Sequence, residues 1–196
     1  SPLVWEKIWK NVHNPLAKDD TKSAIWAQIH LNDYTTASYN KWFSKDDLCP
    51  LCTNSIDCVF HIILHCPITT NLWSELEPFL KKITNVPVTL EEMAFGMTGN
   101  TPSAILRNWL TFLLRECILK QEKQAYYNHL GLGNTVYLQH TYNARVQREV
   151  CDAYYLLRHE NRVDIFHKKY NPNRLFLIDP NGDVERDNIV KIFNPS

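Results

Sequence analysis

Leu48-Cys49-Pro50-Leu51-Cys52 and then His61-Ile62-Ile63-Leu64-His65-Cys66-Pro67 decide how this chain reads. The spacing is Cys-x2-Cys-x8-His-x4-Cys. Two thiolates two residues apart can grip one metal ion from a tight turn. A histidine and a third thiolate, about one helical turn apart, can close the other half. Cys49, Cys52, His61 and Cys66 therefore make a complete Cys3His set, the donor set of structural Zn2+. Four protein donors fill a tetrahedron, so no position is left for water and the expected role is to hold a fold.

Other readings of the same stretch have to be weighed. A Cys-x-x-Cys pair can be a redox motif, but no strand-turn-helix of thioredoxin type surrounds it. Cys58 and His65 lie within the loop and can in principle ligate. The set Cys49, Cys52, Cys58 and His61 leaves a very short second half. His65 and Cys66 are adjacent and rarely point at one ion. The cleanest geometry uses Cys49, Cys52, His61 and Cys66.

Composition narrows the class. The chain has 196 residues with 44% hydrophobic content, enough for one domain or a domain with an appendage. Basic and acidic residues number 21 each, so any nucleic-acid contact must come from a local patch. Four of the six cysteines crowd between Cys49 and Cys66 beside a histidine. That clustering favours metal over disulfides and a reducing, intracellular setting, nuclear or cytoplasmic. No run approaches ~18 apolar residues, so no membrane span is expected. The chain opens at Ser1-Pro2 without Met or signal peptide, and we expect a piece of a longer polypeptide.

Periodicity predicts a mainly α fold. Leu3, Ile8 and Val12 with Trp5 and Trp9 mark a first helix that ends at Asn14-Pro15. Asp19-Asp20-Thr21 opens a second, through Trp26 to His30, and Tyr34 to Phe43 is a short third. After the Cys/His stretch, Ile68 to Ile83 is amphipathic, and Thr89 with Glu92 suggests a capping box. Thr101-Pro102-Ser103 opens a long helix from Ala104 to about Leu130, apolar nearly all round in its first half. Another runs from about Val136 beyond Leu157. Arg174 to Ile178 alternates weakly, Asp179-Pro180-Asn181-Gly182-Asp183 is a strong turn, and Ile189 to Phe193 is apolar. That predicts a small C-terminal β hairpin. The expected organisation is N-terminal helices over 1–47, a CCHC zinc knuckle over 48–67, a multi-helix bundle over 68–171 and a β element over 172–196.

Arg145, Arg148, Arg158 and Arg162 are expected away from the apolar stripe of the last long helix, with Tyr155, Lys168 and Lys169 nearby. Cations bind phosphates and exposed aromatics stack bases, so these residues are the candidate contacts to RNA or DNA. The plainer reading is a solvated helix face of mixed charge, with Glu149 and Asp152 interrupting it. Lys41, Lys45, Lys81 and Lys82 flank the knuckle, offset by Asp46 and Asp47. A nuclease would need clustered carboxylates and a Lys to hold Mg2+. Asp179, Asp183, Glu185 and Asp187 cluster near Lys191, but no Glu-x-Lys completes them, and they read as turn residues. Trp5, Trp9, Trp26, Trp73 and Trp109 fall on apolar stripes and read as core. His13, His30, His129 and His140 show no site spacing, and no Gly-rich phosphate loop or nucleophile elbow is present. No catalytic residue is assigned.

The residues around the ligands carry a resemblance. Leu48-Cys49-Pro50-Leu51-Cys52, Asp57 four before the histidine, Phe60 just before it, the apolar Ile62-Ile63-Leu64, Cys66-Pro67 and Trp73 together resemble the zinc knuckle at the end of non-LTR (LINE-type) retrotransposon reverse transcriptases. The helices upstream, with Trp5, Trp9 and Trp26 to His30, and Phe95-Gly96 followed by a long apolar helix, are similar too. The resemblance covers roughly residues 1 to 130, and its specific part is the knuckle. Where that family commonly has Glu-Thr or Glu-Ser before the histidine, this chain has Asp57-Cys58, so the resemblance makes Cys58 a replaced Thr and no ligand. It implies a non-catalytic segment that follows a polymerase domain in the same polypeptide. Such a segment helps grip template RNA and target DNA in target-primed reverse transcription, and the catalytic Asp pair lies upstream. A structural or protein-interaction zinc module is the competing class, and a metal-dependent endonuclease a weaker one.

Overall fold

A computed structural model describes residues 5–19, 22–23, 48–128, 135–176 and 178. The described residues are helical: α1 (Trp5–Val12), a π-helical turn (His61–His65), α2 (Pro67–Thr84), α3 (Leu90–Phe95), α4 (Pro102–Asn128), α5 (Thr135–His159) and α6 (Val163–Lys169). The helices expected at Trp26 to His30 and Tyr34 to Phe43 lie outside the described residues.

α4 is the axis of the bundle. Leu106, Trp109, Leu110, Phe112, Leu113, Leu114 and Ile118 are buried around its whole circumference. It packs against α2, α5, α6 and the π-turn. Its N-terminus is set by Thr101, whose Oγ1 accepts from Ala104 N–H at 3.2 Å. α2 presents Leu72, Trp73, Leu76, Phe79, Leu80 and Ile83 to the core. α5 presents Leu138, Tyr142, Val146, Val150 and Tyr154, and the Tyr142 hydroxyl donates to the Leu110 carbonyl at 3.2 Å. Trp73 and Trp109 are core residues, as their stripes imply.

Buried polar groups fix how the helices meet. The Arg107 guanidinium on α4 is fully enclosed and forks onto Glu92 of α3. It also donates to Thr84 and to the Leu80, Val86 and Pro87 carbonyls. Removing one partner of a buried pair of this kind costs about 3–5 kcal/mol. Thr89 caps α3 as its sequence suggests, its hydroxyl accepting from Glu92 N–H at 3.2 Å. The Glu92 carboxylate binds Arg107, so only half of the capping box forms with that side chain's role changed. Arg115, also buried, donates to the Ala94 carbonyl and lies 4.2 Å from the Phe112 ring centroid.

α1 docks through amides. Asn11 donates to the Phe95 carbonyl at 3.1 Å, and Asn108 of α4 donates to Asn11 Oδ1 at 3.1 Å. Asn108 also accepts from Met97 N–H at 2.8 Å. Asn14 ends the helix as expected: its Oδ1 accepts from Leu16 N–H at 2.9 Å, while its amide donates to the Ile105 carbonyl at 2.9 Å. After α5 the chain reverses at Asn161, whose φ of 56° is left-handed. Arg162 N–H then reaches back to the Leu157 carbonyl at 2.7 Å, the helix-ending bond that this conformation permits. The reversal lays α6 on α5, with Phe166 edge-on to Tyr154 at 5.2 Å.

The expected C-terminal β hairpin is corrected. Among the described residues no strand is present, and the one β-bridge pairs Leu48 with Ile56. Residues 172–176 turn instead of extending. The cause is Asn171, whose side chain takes both the N–H and the carbonyl of Phe176 and so occupies the groups a partner strand would use. The rest of the expected hairpin, with Asp179, Asp183, Glu185, Asp187 and Lys191, lies outside the described residues.

Gly96 joins α3 to the amide cluster with φ at 82°. A Cβ there would sit 2.8 Å from Asn108 Oδ1 and 3.0 Å from Asn11 Nδ2, both held by hydrogen bonds. Gly96→Ala should lower unfolding stability by about 2–3 kcal/mol, read as a fall in urea midpoint at unchanged slope.

Candidate functional site

The Cys49–Cys52 turn is built by the backbone. Thr53 N–H donates to the Cys49 carbonyl at 2.7 Å, and Cys49 N–H donates to the Ser55 carbonyl at 2.8 Å. Thr53 takes a left-handed φ of 56° to make the return. The bridge between Leu48 and Ile56 then ties the loop's two ends. Short loops of this form leave both cysteine side chains on one side.

The second half comes from the π-turn. In an α-helix a residue five positions on is rotated by about 140° and faces away. Here Cys66 N–H closes onto the His61 carbonyl at 2.6 Å, a wider turn that returns Cys66 beneath His61. The widened turn leaves carbonyls without helical partners, and α2 supplies them. Thr69 Oγ1 donates to the Ile62 carbonyl at 2.6 Å, and Trp73 Nε1 to the Ile63 carbonyl at 2.9 Å.

One donor atom each from Cys49, Cys52, His61 and Cys66 lies within 4.8 Å of the others. The four form a cluster capable of holding a metal ion. Cys52 Sγ is 3.3 Å from His61 Nε2. Tetrahedral coordination at ordinary bond lengths separates a sulfur and a nitrogen by about 3.5 Å and two sulfurs by about 3.8 Å, so the set fits one ion. Cys49 and Cys66 are wholly buried and Cys52 is half-buried. Cys58 is exposed and outside the cluster; its sulfur accepts from His61 N–H at 3.4 Å, which orients the ligand's backbone. His65 is exposed beside Cys66 and is likewise outside the cluster. None of the six cysteines is in a disulfide. Cys117 and Cys151 are buried elsewhere, and burial pushes the Cys117 thiol up to about 11.

Cys66 is also the N-cap of α2, with Pro67 at the first helical position. The neighbouring Cys49 thiol above all, with the amide end of α2, draws the Cys66 thiol down to about 5, against the effect of burial. Cys49 is held up in turn, by its contact with Cys66 and by burial. A thiolate at a helix N-terminus is the ligand-ready form.

Asp57, four residues before His61, is fully buried and meets Glu122 of α4, which is 3% exposed. Burial pushes the Glu122 carboxyl up to about 8, and the neighbouring Asp57 charge and hydrogen bond add to this, with Lys123 opposing. The pair places the Cys/His loop against the central helix.

The candidate nucleic-acid residues do not share one environment. Arg145 is turned inward, 17% exposed, and pairs with Glu149 at 3.1 Å and Glu116 at 3.8 Å. Lys18 joins the same network through Glu149 at 2.9 Å. Arg145 therefore does not lie on the solvent face expected for it. Arg148, Tyr155 and Arg158 are exposed on α5, Arg162 is exposed beside Glu160, and Lys168 and Lys169 are exposed at the end of α6. Between residues 158 and 178 five basic residues stand against two acidic ones, in a chain of zero formal charge. Lys81 and Lys82 are exposed on α2, while Lys41 and Lys45 lie outside the described residues. No described helix is long and apolar enough to cross a membrane.

Comparison with protein-family models, with curated proteins and with solved structures finds no match.

Glu122 holds a proton in the folded protein well above its ordinary 4.5. Its contribution to stability is fully present below about 4.5, declines as pH rises, and is gone above about 8. Glu122→Gln should remove this decline and leave the variant more stable than the parent at about pH 8.5, by on the order of 2 kcal/mol. Urea unfolding of metal-loaded protein across that window measures it.

Proposed function

We propose that this chain is a zinc-stabilised nucleic-acid-binding module and not itself an enzyme. The observation that carries the reading is the closed donor set of Cys49, Cys52, His61 and Cys66. Three soft thiolates and an imidazole at tetrahedral spacing select Zn2+ among common cellular ions. Zn2+ would neutralise thiolate charge and lock the turn to α2 and α4. A closed site of this kind holds structure and supplies no activated water. The knuckle carries no catalytic step in this reading.

The local excess of cations between residues 158 and 178, five against two acids, supports the second half of the reading. Phosphate contacts need such a patch, because the chain as a whole is neutral. The finer assignment follows the resemblance of the knuckle and its flanks. In it the chain is the C-terminal segment of a LINE-type reverse transcriptase. It grips template RNA and target DNA beside the polymerase domain of the same polypeptide. A structural or protein-interaction module is the alternative. The exposed Leu48, Ile56 and Phe60 on the knuckle favour it, since an apolar face can also dock protein.

Metal analysis of protein prepared without added chelator should give one zinc per chain. Cys49→Ser should lose the metal and loosen α2, whereas Cys58→Ser should keep it, because metal binding and folding of the ligand segment are coupled. Zinc-free, fully folded protein would defeat the assignment.

Binding should be electrostatic and local. Changing Arg148, Lys168 and Lys169 together to Ala should weaken binding to labelled RNA or DNA about tenfold or more at low salt and flatten its salt dependence. Arg145→Ala should instead lower stability, since it leaves Glu149 and Glu116 short of a partner in a half-buried site. An unaltered salt slope in the triple variant would leave the scaffold alternative standing.

A further inference from the structure

The chain makes a fixed turn after α6. Asn171 is buried, and its side chain holds Phe176 twice, donating to the carbonyl at 2.8 Å and accepting from the N–H at 2.9 Å. Asn173 donates to the Ile83 carbonyl at 2.8 Å and moors the same turn to the end of α2. Phe176 is buried beneath. Between these anchors Arg174 has a left-handed φ of 50°, its N–H bonded to the Asn171 carbonyl at 3.0 Å. An arginine avoids that region unless its surroundings impose it. The turn imposes it and leaves the Arg174 side chain exposed on a rigid rim.

That rim borders a cavity of about 460 Å3 lined by His167, Pro172, Arg174, Phe176 and Ile178, with Asn171 below. The volume is in the range of small-ligand sites. Its walls are apolar at Pro172, Phe176 and Ile178, and its edge is polar at His167 and Arg174. Exposed Lys168 and Lys169 follow His167 directly. A bare anion needs no apolar wall, and an alkyl chain needs no guanidinium. A nucleobase with its flanking phosphate uses both: the ring face meets apolar and planar groups, the phosphate meets cations.

We propose that this cavity receives one unstacked base of a single-stranded nucleic acid, with Arg174 and His167 against the base edge and the adjoining phosphate. The proposal rests on the nucleic-acid reading above and adds where a base is held. A base in a duplex is stacked on both faces and cannot enter, so the site belongs to single strands.

The test uses the full zinc-loaded chain and a labelled thymidine oligonucleotide of about eight nucleotides, within the span of one single-strand site. Its competitor is a fully abasic strand of equal length and equal phosphate number. The base-bearing strand should bind about tenfold more tightly, with the same salt slope. His167→Ala combined with Arg174→Gly should shrink that preference to about twofold or less. Glycine suits the left-handed φ and both side chains are exposed, so the melting temperature should hold; Arg174→Gly alone serves if the double variant is unstable. Lys168→Ala with Lys169→Ala should weaken both strands equally. Equal binding of the two strands by the parent, or a preference that survives in the pocket variants, overturns the base site and leaves the nucleic-acid reading in place. Binding of neither strand by the parent defeats both.

Discussion

Cys66 is the residue on which the rest of the architecture turns. Its sulfur completes the candidate metal-binding cluster, its N–H closes the π-turn, and its carbonyl starts α2 by accepting from Thr69 N–H at 3.0 Å and Thr70 N–H at 2.9 Å. Helix and Cys/His cluster therefore share one residue as their boundary. A rotation at Cys66 would misplace the sulfur and the first turn of α2 together. The widened turn before it would expose free carbonyls in the interior, were Thr69 and Trp73 not placed to accept that role as donors. An unmet buried carbonyl costs about 1–3 kcal/mol. The seven-residue interval from Cys66 to Trp73 puts the indole on the face of α2 that meets the π-turn.

The central helix poses the opposite problem, since it is buried on all sides yet carries Arg107, Asn108, Thr111 and Arg115. Thr111 donates to the Arg107 carbonyl of its own helix at 2.9 Å, whereas Arg107, Asn108 and Arg115 each reach another part of the chain. Arg107 satisfies the Val86 and Pro87 carbonyls in the irregular stretch between α2 and α3, and the Leu80 carbonyl in the last turns of α2. Arg115 reaches the last turn of α3, and Asn108 the backbone that follows it. Apolar packing alone would let a six-residue helix such as α3 slide or fray. Directional bonds to enclosed side chains define one position for it, at a desolvation cost that the Arg107 guanidinium, bonded at all three nitrogens, offsets.

Much of this was legible in the sequence, and the exceptions have physical causes. The Cys/His cluster could be read because metal chemistry constrains residue type and spacing together, and its four donors do converge. Asn14-Pro15, Thr89 and Thr101-Pro102 announced helix boundaries because capping is local. The π-turn was not visible, since His61 to His65 is compatible with an α-helix and only the ligand at Cys66 requires the wider turn. The break at Asn161 was missed because asparagine, without Gly or Pro beside it, is a weak left-handed signal. Pairs distant in sequence escaped altogether: Glu92 looked like a capping partner until Arg107 claimed it, and Asp57 gave no hint of Glu122. Arg145 was assigned to solvent by helical phase, yet Glu116 on α4 and Glu149 hold it inward. The hairpin expectation failed because alternation in Arg174 to Ile178 describes side-chain polarity, whereas Asn171 decides where the backbone hydrogen bonds go.

Charge distribution sets how the exposed face can act. The interior pairs are balanced, Arg107 with Glu92 and Arg145 with Glu116 and Glu149, so they add little field outside. The stretch from 158 to 178 carries five cations against two acids, and the sequence just beyond it, 179–187, carries four acids against one cation. At physiological ionic strength a field fades within about 8 Å, and a chain of zero net charge has no long-range attraction for polyanions. Recognition by this face must therefore be made at contact, by groups already in place. The turn that sets Arg174 meets that condition. Asn171 and Asn173 fix it from both sides, so little side-chain and loop ordering is left to oppose binding. A neutral domain with one rigid cationic edge gains selectivity for what fits that edge, where a broadly basic domain would bind any phosphate chain it met.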